Sequence, residues 1–153
     1  MTSKEQGLLI ADKAMTWLGT PYANNAMVKG AGIDCGHLLY ASLIDAGLID
    51  KSKLLIEDYS NEWHLHRSEE KFLKYVEKVC DKVKFPQVGD FFLYQYGRCI
   101  SHGAILTESG LLLHAYVDKG VILSEANDVI FYDNAGKSRL RGYWRFNPKK
   151  VGA

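Results

Sequence analysis

The periodicity of the apolar residues changes near Pro86, and this change limits the folds open to the chain. Before it, apolar residues recur at helical spacing; after it, short apolar and aromatic runs alternate with turn residues such as Gly110 and Gly120. Helices followed by closely connected strands indicate an α+β fold, in which an antiparallel sheet carries helices on one side. We expect a helical half over about residues 1–85 and a sheet half over about residues 86–148.

Three helices are predicted in the first half. Residues 3–6 (Ser-Lys-Glu-Gln) have the spacing of a capping box, and apolar residues then recur at helical intervals until Gly19. A second helix is predicted from about residue 35 to 46, with Asp34 as its N-cap. Apolar residues that share one face predict a third helix between residues 68 and 83.

Composition excludes several classes of protein. With 153 residues, 47% of them hydrophobic, the chain fits one domain over residues 1–153 with its own core. A net charge of +1 with interspersed signs gives no reason to expect a nucleic-acid partner. No apolar run is long enough for a membrane span, and the N-terminus has no signal-peptide pattern. We therefore expect a protein made in the cytoplasm that reaches any target outside the cell by another route.

One cysteine stands where a thiol becomes reactive. Cys35 directly follows Asp34 and opens an apolar helical run, so it falls in the first turn of the predicted helix. Unpaired N–H groups and the helix dipole favour a thiolate there, and the thiolate is the nucleophilic form of cysteine. Cys80 and Cys99 lack this context and are predicted to be buried apolar residues in a chain without a disulfide framework.

A base for this thiol and a partner for the base are predicted on one hairpin. If the strands flanking residues 108–110 pair across that turn, His102 and His114 have the same parity and are diagonal neighbours on one face. His102 can then accept the thiol proton while His114 holds its ring in one tautomer. Such a site attacks an amide carbonyl, forms a thioester and releases it to water.

Four sequence blocks in order carry a family resemblance. They are residues 19–22 (Gly-Thr-Pro-Tyr), 32–35 (Gly-Ile-Asp-Cys), 88–92 (Val-Gly-Asp-Phe-Phe) and 101–106 (Ser-His-Gly-Ala-Ile-Leu), with His114 on the next strand. In order and spacing, across nearly the whole chain, they resemble the NlpC-type papain-like endopeptidases of bacterial cell walls.

The resemblance implies a fold, an activity and a set of residue roles. The fold is a circularly rearranged papain-like core, and the activity is cleavage of peptidoglycan stem peptides, typically between D-glutamate and a diamino acid. The roles implied are nucleophile for Cys35, general base for His102, third member of the triad for His114, and a hydroxyl beside the oxyanion for Tyr22.

The chain departs from its relatives directly after the Asp-Cys pair. Most relatives continue with Ser-Gly, whereas this chain has Gly36 and His37. In relatives the aspartate and serine help to recognise the free amino end of the stem peptide. The resemblance therefore implies that Asp34 keeps half of this role, in addition to capping the helix, while Gly36 supplies no hydroxyl. The candidate substrate-binding residues are Asp34, Gly36, His37, Ser101 and Trp63.

Residues 58–67 are similar to versions found in phage tail and prophage proteins of this superfamily. This similarity predicts a phage-associated hydrolase with phage tail proteins as partners, which fits the missing signal peptide. Two other hypotheses stay open. One is a papain-like hydrolase or acyltransferase that acts on another amide or thioester; the other is a non-catalytic phage-tail or wall-binding module.

Metal binding is the remaining alternative for the histidines. His64 with His66, and Cys35 with His37, are plausible chelating pairs, because zinc favours cysteine and histidine ligands. The chain has no Cys-x-x-Cys pair and no His-Glu-x-x-His helix. We expect no metal and no cofactor, and we interpret His64 and His66 as loop or surface residues.

Overall fold

The computed structural model describes residues 1–53 and 71–151, and within them the helices precede most of the strands. The helices are α1 (Ser3–Met15), α2 (Cys35–Asp45) and α3 (Lys71–Glu77), and short 3-10 turns lie at Lys51–Lys53, Val129–Phe131 and Pro148–Val151. A two-stranded ribbon of β1 (Met27–Val28) and β2 (Gly32–Ile33) precedes α2. None of the helices in these ranges is long and apolar enough to cross a bilayer.

The second half of the described chain forms an antiparallel sheet. Its strands are β3 (Cys80–Val83), β4 (Phe91–Tyr96), β5 (Cys99–Leu106), β6 (Leu112–Tyr116), β7 (Gly120–Ser124) and β8 (Leu140–Phe146). The order across the sheet is β3-β8-β4-β5-β6-β7. Strands β4 to β7 are joined as consecutive hairpins, whereas β8 returns to pair with both β3 and β4. Tight turns suffice for such hairpins, which accounts for the turn residues in the sequence.

The helices cover one face of this sheet. Helix α2 is buried from Cys35 to Leu43, because α1 packs against it on one side and β5 and β6 on another. The core shared by the helices and this face includes Ile10, Leu38, Leu39, Phe72, Val76, Leu93, Ile105 and Leu113. The predicted α+β fold, with an antiparallel sheet and helices on one side, is confirmed.

The opposite face of the sheet has a smaller core of its own. Every second side chain of the strands points to this face, and these side chains, including Tyr94 and Leu112, pack around Phe131 from the connection between β7 and β8. The Phe131 ring stacks on Tyr94 with 4.4 Å between centroids. The centroid of the Phe131 ring also lies 5.0 Å from that of the His114 ring, so this small core packs against His114.

Two predictions about the helices need correction. The capping box of α1 uses Thr2 and Glu5 rather than the residues one position later: Thr2 Oγ1 accepts from Glu5 N, and Glu5 Oε1 accepts from Thr2 N. The third helix was predicted to reach residue 83, but α3 ends at Glu77 and residues 80–83 form β3 inside the predicted helical half.

The reason for the early end of α3 is tertiary. Backbone groups of β3 pair with β8, and Lys150 Nζ donates to the carbonyls of Glu77 and Cys80 at the point where the helix ends. Long-range pairing of this kind overrides local helical spacing. The first residues of that prediction, 68–70, lie outside the described residues.

Two phenylalanines provide a matched test of the second core. Phe131 is 1% exposed, whereas Phe85 is 81% exposed. We expect Phe131→Ala to lower the free energy of unfolding by about 3–5 kcal/mol, because a large buried side chain is removed. Phe85→Ala should change it by about 0.5 kcal/mol or less. Urea unfolding of both variants measures the difference, and equal losses would contradict the packing of Phe131 against the sheet.

Candidate active site

Asp34 fixes the position of Cys35 at the start of α2. Its backbone is extended and its carboxylate is fully buried. Oδ1 accepts from the backbone N–H of His37 at 2.9 Å, which caps the helix, and Oδ2 accepts from the N–H of Asn25 at 2.8 Å. Cys35 is consequently the first helical residue, with its Sγ 3.5 Å from the carbonyl oxygen of Ser101 on β5.

Two opposing effects act on the Cys35 thiol. Burial raises its pKa above the usual range, and the negative charge of Asp34 raises it further. Backbone N–H groups, including those of Gly36 and Gly103, lower it. The helix start therefore acts in the direction expected from the sequence, but burial outweighs it. The buried site therefore favours a protonated thiol.

His102, the predicted base, directly follows an irregularity in β5. Pairing of β4 with β5 steps from Tyr94–His102 to Gln95–Ile100, which leaves Ser101 as an extra residue, as in a β-bulge. Such an insertion changes the direction of neighbouring groups. Here the carbonyl of Ser101 meets the thiol of Cys35, and His102 follows directly on the strand.

The hairpin brings His102 and His114 together in the way its parity predicts. The β5–β6 ladder pairs Ile105 with Leu113 and Leu106 with Leu112, so the two histidines are diagonal neighbours. His102 Nε2 and His114 Nδ1 are 2.9 Å apart, a hydrogen bond between buried rings. The second nitrogen of His114, Nε2, lies 2.8 Å from the hydroxyl oxygen of Ser124 on β7.

Burial keeps both histidines neutral near pH 7. It lowers the pKa of His102 well below its usual value, and the neighbouring His114 lowers it further. The pKa of His114 falls from 6.5 to about 4 for the same reason, with the charge of Asp128 acting in the opposite direction. A neutral imidazole has one bare nitrogen, so His102 is able to accept a proton.

A cavity of about 370 Å³ brings these groups together. Strands β5 and β6 pair at Ile105–Leu113 and Leu106–Leu112. Past these two pairs, residues of both strands line the cavity. The lining residues are Tyr22, Cys35, Tyr96, Ser101, His102, Ala115, Tyr116, Val117 and Asp118. A thiol and a neutral imidazole that line one cavity are the elements of nucleophilic acyl transfer.

Tyr22 reaches this cavity because the segment before it docks on β7. Gly19 N donates to Val121 O at 3.0 Å, and Val121 N donates to Thr20 O at 2.9 Å. The approach requires Gly120, whose φ is +77° and where a Cβ would lie 2.6 Å from Thr20 O. Burial raises the pKa of Tyr22, so its hydroxyl stays protonated and able to donate.

Three predicted substrate-binding residues lie beside the cavity rather than in its wall. Asp34, Gly36 and His37 are buried at the start of α2 and are not among the described residues that line the cavity. His37 Nδ1 is 2.9 Å from Asp34 Oδ1, so this ring shares the carboxylate with the helix cap. Ser101, in contrast, is part of the wall. Their roles toward substrate stay predictions.

Part of the sequence-based hypothesis falls on residues 54–70, outside the described residues. It concerns Trp63 as a groove residue, His64 and His66, and the segment 58–67 that carries the phage-tail similarity. Within residues 1–53 and 71–151, no group of three or more histidine, cysteine, aspartate or glutamate side chains is arranged to hold a metal ion.

Ser124 and the aromatic walls of the site are not among the residues predicted from the sequence. Tyr96 and Tyr116 lie with their rings 5.5 Å and 5.8 Å from that of His102. Ser124 pairs with Leu112 across the β6–β7 ladder, and His114 pairs with Ile122. The diagonal rule that joins His102 to His114, applied to the next hairpin, would have indicated Ser124 as a partner of His114.

A thiol at a helix start, a strand histidine and a second histidine behind it define a site of the papain-like kind. The family model for NlpC/P60 matches residues 19–139, which include Cys35, His102 and His114. The chain belongs to the NlpC/P60 family. No protein with a curated description matches the chain.

Solved structures share the fold at low sequence identity. NlpC2 from Trichomonas vaginalis aligns with a TM-score of 0.58 at 15% identity, over 92% of this chain and 47% of its own. The NlpC/p60 domain of the peptidoglycan hydrolase SagA has a TM-score of 0.55 at 15% identity, over 92% and 98%. The P60 domain of antigen MAP1204 from M. avium subspecies paratuberculosis has 0.54 at 14%, over 94% and 96%.

These likenesses show the fold alone. The chain spans less than half the length of NlpC2, but nearly all of the SagA and MAP1204 domains. The aligned unit is therefore the NlpC/P60 domain itself.

The lowered histidine pKa values predict how stability depends on pH. Below about pH 6.5 the unfolded chain takes up protons that buried His114 does not accept until about pH 4. The free energy of unfolding should therefore fall as the pH falls through this window. His114→Gln removes one of the buried imidazoles and should make the fall smaller. Urea unfolding at about pH 7 and pH 5 measures both slopes; identical slopes would contradict the burial of a neutral His114.

Proposed function

We propose that this protein is a cysteine endopeptidase or amidase that hydrolyses amide bonds in peptidoglycan stem peptides. The expected bond joins D-glutamate to a diamino acid. One observation carries the proposal: Cys35 and His102 line the same cavity, and His102 is hydrogen-bonded to His114 at 2.9 Å. Family membership supports the substrate class, as does the similarity in fold to a domain of the peptidoglycan hydrolase SagA.

The proposed first step forms a thioester. His102 takes the proton from Cys35 Sγ as the sulfur attacks the carbonyl carbon, and the carbonyl oxygen becomes an oxyanion. Tyr22 supplies a protonated hydroxyl in the same cavity, able to donate to that oxygen. When the C–N bond breaks, the imidazolium of His102 gives its proton to the departing amine.

The second step regenerates the enzyme. A water molecule gives one proton to His102 and attacks the thioester carbon. The C–S bond then breaks, the sulfur regains the proton from His102, and the acid product leaves. Each proton that His102 accepts is returned, so the site ends the cycle in its starting state.

The wall of the cavity combines aromatic rings with one carboxylate. Tyr96 and Tyr116 offer ring surfaces, and Asp118 lies exposed in the turn after β6. The negative charge of this carboxylate complements the free amino group of a stem peptide or of its diamino acid.

The test is digestion of purified peptidoglycan, with the released peptides identified by mass spectrometry. Wild-type protein should release peptides with new termini at the cleaved bond. Cys35→Ser and His102→Ala should each lower the rate by at least about 10³-fold while the fold is retained. Cys80→Ala is the matched control, because Cys80 is a buried cysteine on β3 that does not line the cavity, and its activity should resemble wild type.

The outcomes separate the hypotheses. Full activity in Cys35→Ser or His102→Ala would overturn the mechanism. Folded wild-type protein that binds peptidoglycan but releases no peptide would favour a wall-binding module, and activity only on other amides or thioesters would overturn the substrate class.

A further inference from the structure

Three buried polar side chains are connected across β5, β6 and β7. His102 Nε2 meets His114 Nδ1 at 2.9 Å, and His114 Nε2 meets Ser124 Oγ at 2.8 Å. The three side chains belong to residues that are 6%, 0% and 5% exposed, respectively. Within the described residues, these are the hydrogen bonds of the His114 ring, because its other close neighbours, Phe131 and Tyr116, present aromatic rings.

We propose that Ser124 is a positioning residue, whose hydroxyl oxygen accepts a hydrogen bond from His114 Nε2–H and so sets the tautomer of both histidines. This inference rests on the proposed function and deepens it, since it concerns how His102 is kept ready to act as a base.

The proposal follows from counting the hydrogens in the two bonds. A neutral imidazole carries hydrogen on one nitrogen only. If His114 carries it on Nε2 and donates to Ser124, then His114 Nδ1 is bare and must accept from His102 Nε2–H. The remaining nitrogen of His102, Nδ1, is then bare and available for the thiol proton.

The opposite arrangement disables the base. If the Ser124 hydroxyl donates to His114 Nε2, then His114 Nδ1 carries the hydrogen and donates to His102 Nε2. A neutral His102 must then carry its own hydrogen on Nδ1. Its Nε2 already accepts the hydrogen bond from His114, so neither nitrogen is free to take the thiol proton. The direction of the bond at Ser124 therefore decides whether His102 can work.

Proton transfer selects between the two arrangements. When His102 becomes an imidazolium, both of its nitrogens carry hydrogen, so Nε2–H must donate to His114 Nδ1. A neutral His114 then carries its hydrogen on Nε2, and Ser124 must accept. The arrangement with Ser124 as acceptor thus suits the site before and after proton transfer, and no group has to reorient during the step.

The register of the sheet explains why a β7 side chain reaches this point. Leu112 pairs with Ser124 and His114 with Ile122, so Ser124 is a diagonal neighbour of His114 on the same face. Ser124 ends β7 and is followed by the connection that carries Asp128 and Phe131. The hydroxyl is therefore held by the same ladder that holds the histidine.

The direct test is the protonation of the histidine rings, measured by two-bond ¹H–¹⁵N NMR on ¹⁵N-labelled wild-type protein at neutral pH. We expect His114 and His102 to show hydrogen on Nε2 and a bare Nδ1. This measurement uses no variant and no substrate, so it is independent of the proposed function. Hydrogen on Nδ1 of His114 would overturn the proposal.

Variants of Ser124 test whether the hydroxyl is the cause. Ser124→Ala should give mixed tautomers of His114 and lower kcat on peptidoglycan by about 10- to 100-fold, with KM little changed. Ser124→Thr keeps a hydroxyl and should restore both readouts. Ser42→Ala is the matched control, because Ser42 is a buried serine in α2 whose hydroxyl donates to Leu39 O, and it should leave both unchanged.

The outcomes are distinct from those for the proposed function. Unchanged ring shifts in Ser124→Ala, or equal losses in the alanine and threonine variants, would overturn the role of the hydroxyl. A wild-type protein that shows the expected tautomers but no peptidoglycan cleavage would overturn the proposed function and leave the positioning role supported.

Discussion

The site depends first on the buried carboxylate of Asp34. It caps α2 through the N–H of His37 and holds the chain before the helix through the N–H of Asn25. Removing it would take away the hydrogen bond to the N–H of His37 at the buried start of α2, at a cost of about 1–3 kcal/mol. Because Cys35 is the next residue, the same carboxylate that begins the helix decides where the thiol stands. Its negative charge has a chemical cost, since it opposes ionisation of that thiol.

Burial gives the site its electrostatic character. It raises the pKa of Cys35 and lowers those of His102 and His114, so the resting groups are uncharged. In the proposed reaction, charge develops in a region where water is partly excluded and hydrogen bonds are strong. The fixed register of the sheet holds the hydrogen bonds between His102 and His114 and between His114 and Ser124 in place before any charge develops.

The sequence predicted the parts of this arrangement that follow from local pattern. The start of α2 at Cys35 follows from Asp34, and the meeting of His102 with His114 follows from parity across one turn. The extra residue at Ser101 and the strand at residues 80–83 could not be read in this way. Both depend on pairing between segments far apart in the chain. The packing of Phe131 against Tyr94 and the ring of His114 has the same origin.

The most direct measurement of the central claim is the alkylation rate of each cysteine by iodoacetamide at neutral pH, mapped by mass spectrometry. A thiol activated by His102 should make Cys35 react well before the buried Cys80 and Cys99, and His102→Ala should slow Cys35 by at least about 10-fold. Equal rates for Cys35 in wild type and His102→Ala would contradict the account, because the thiol would then owe nothing to the histidine.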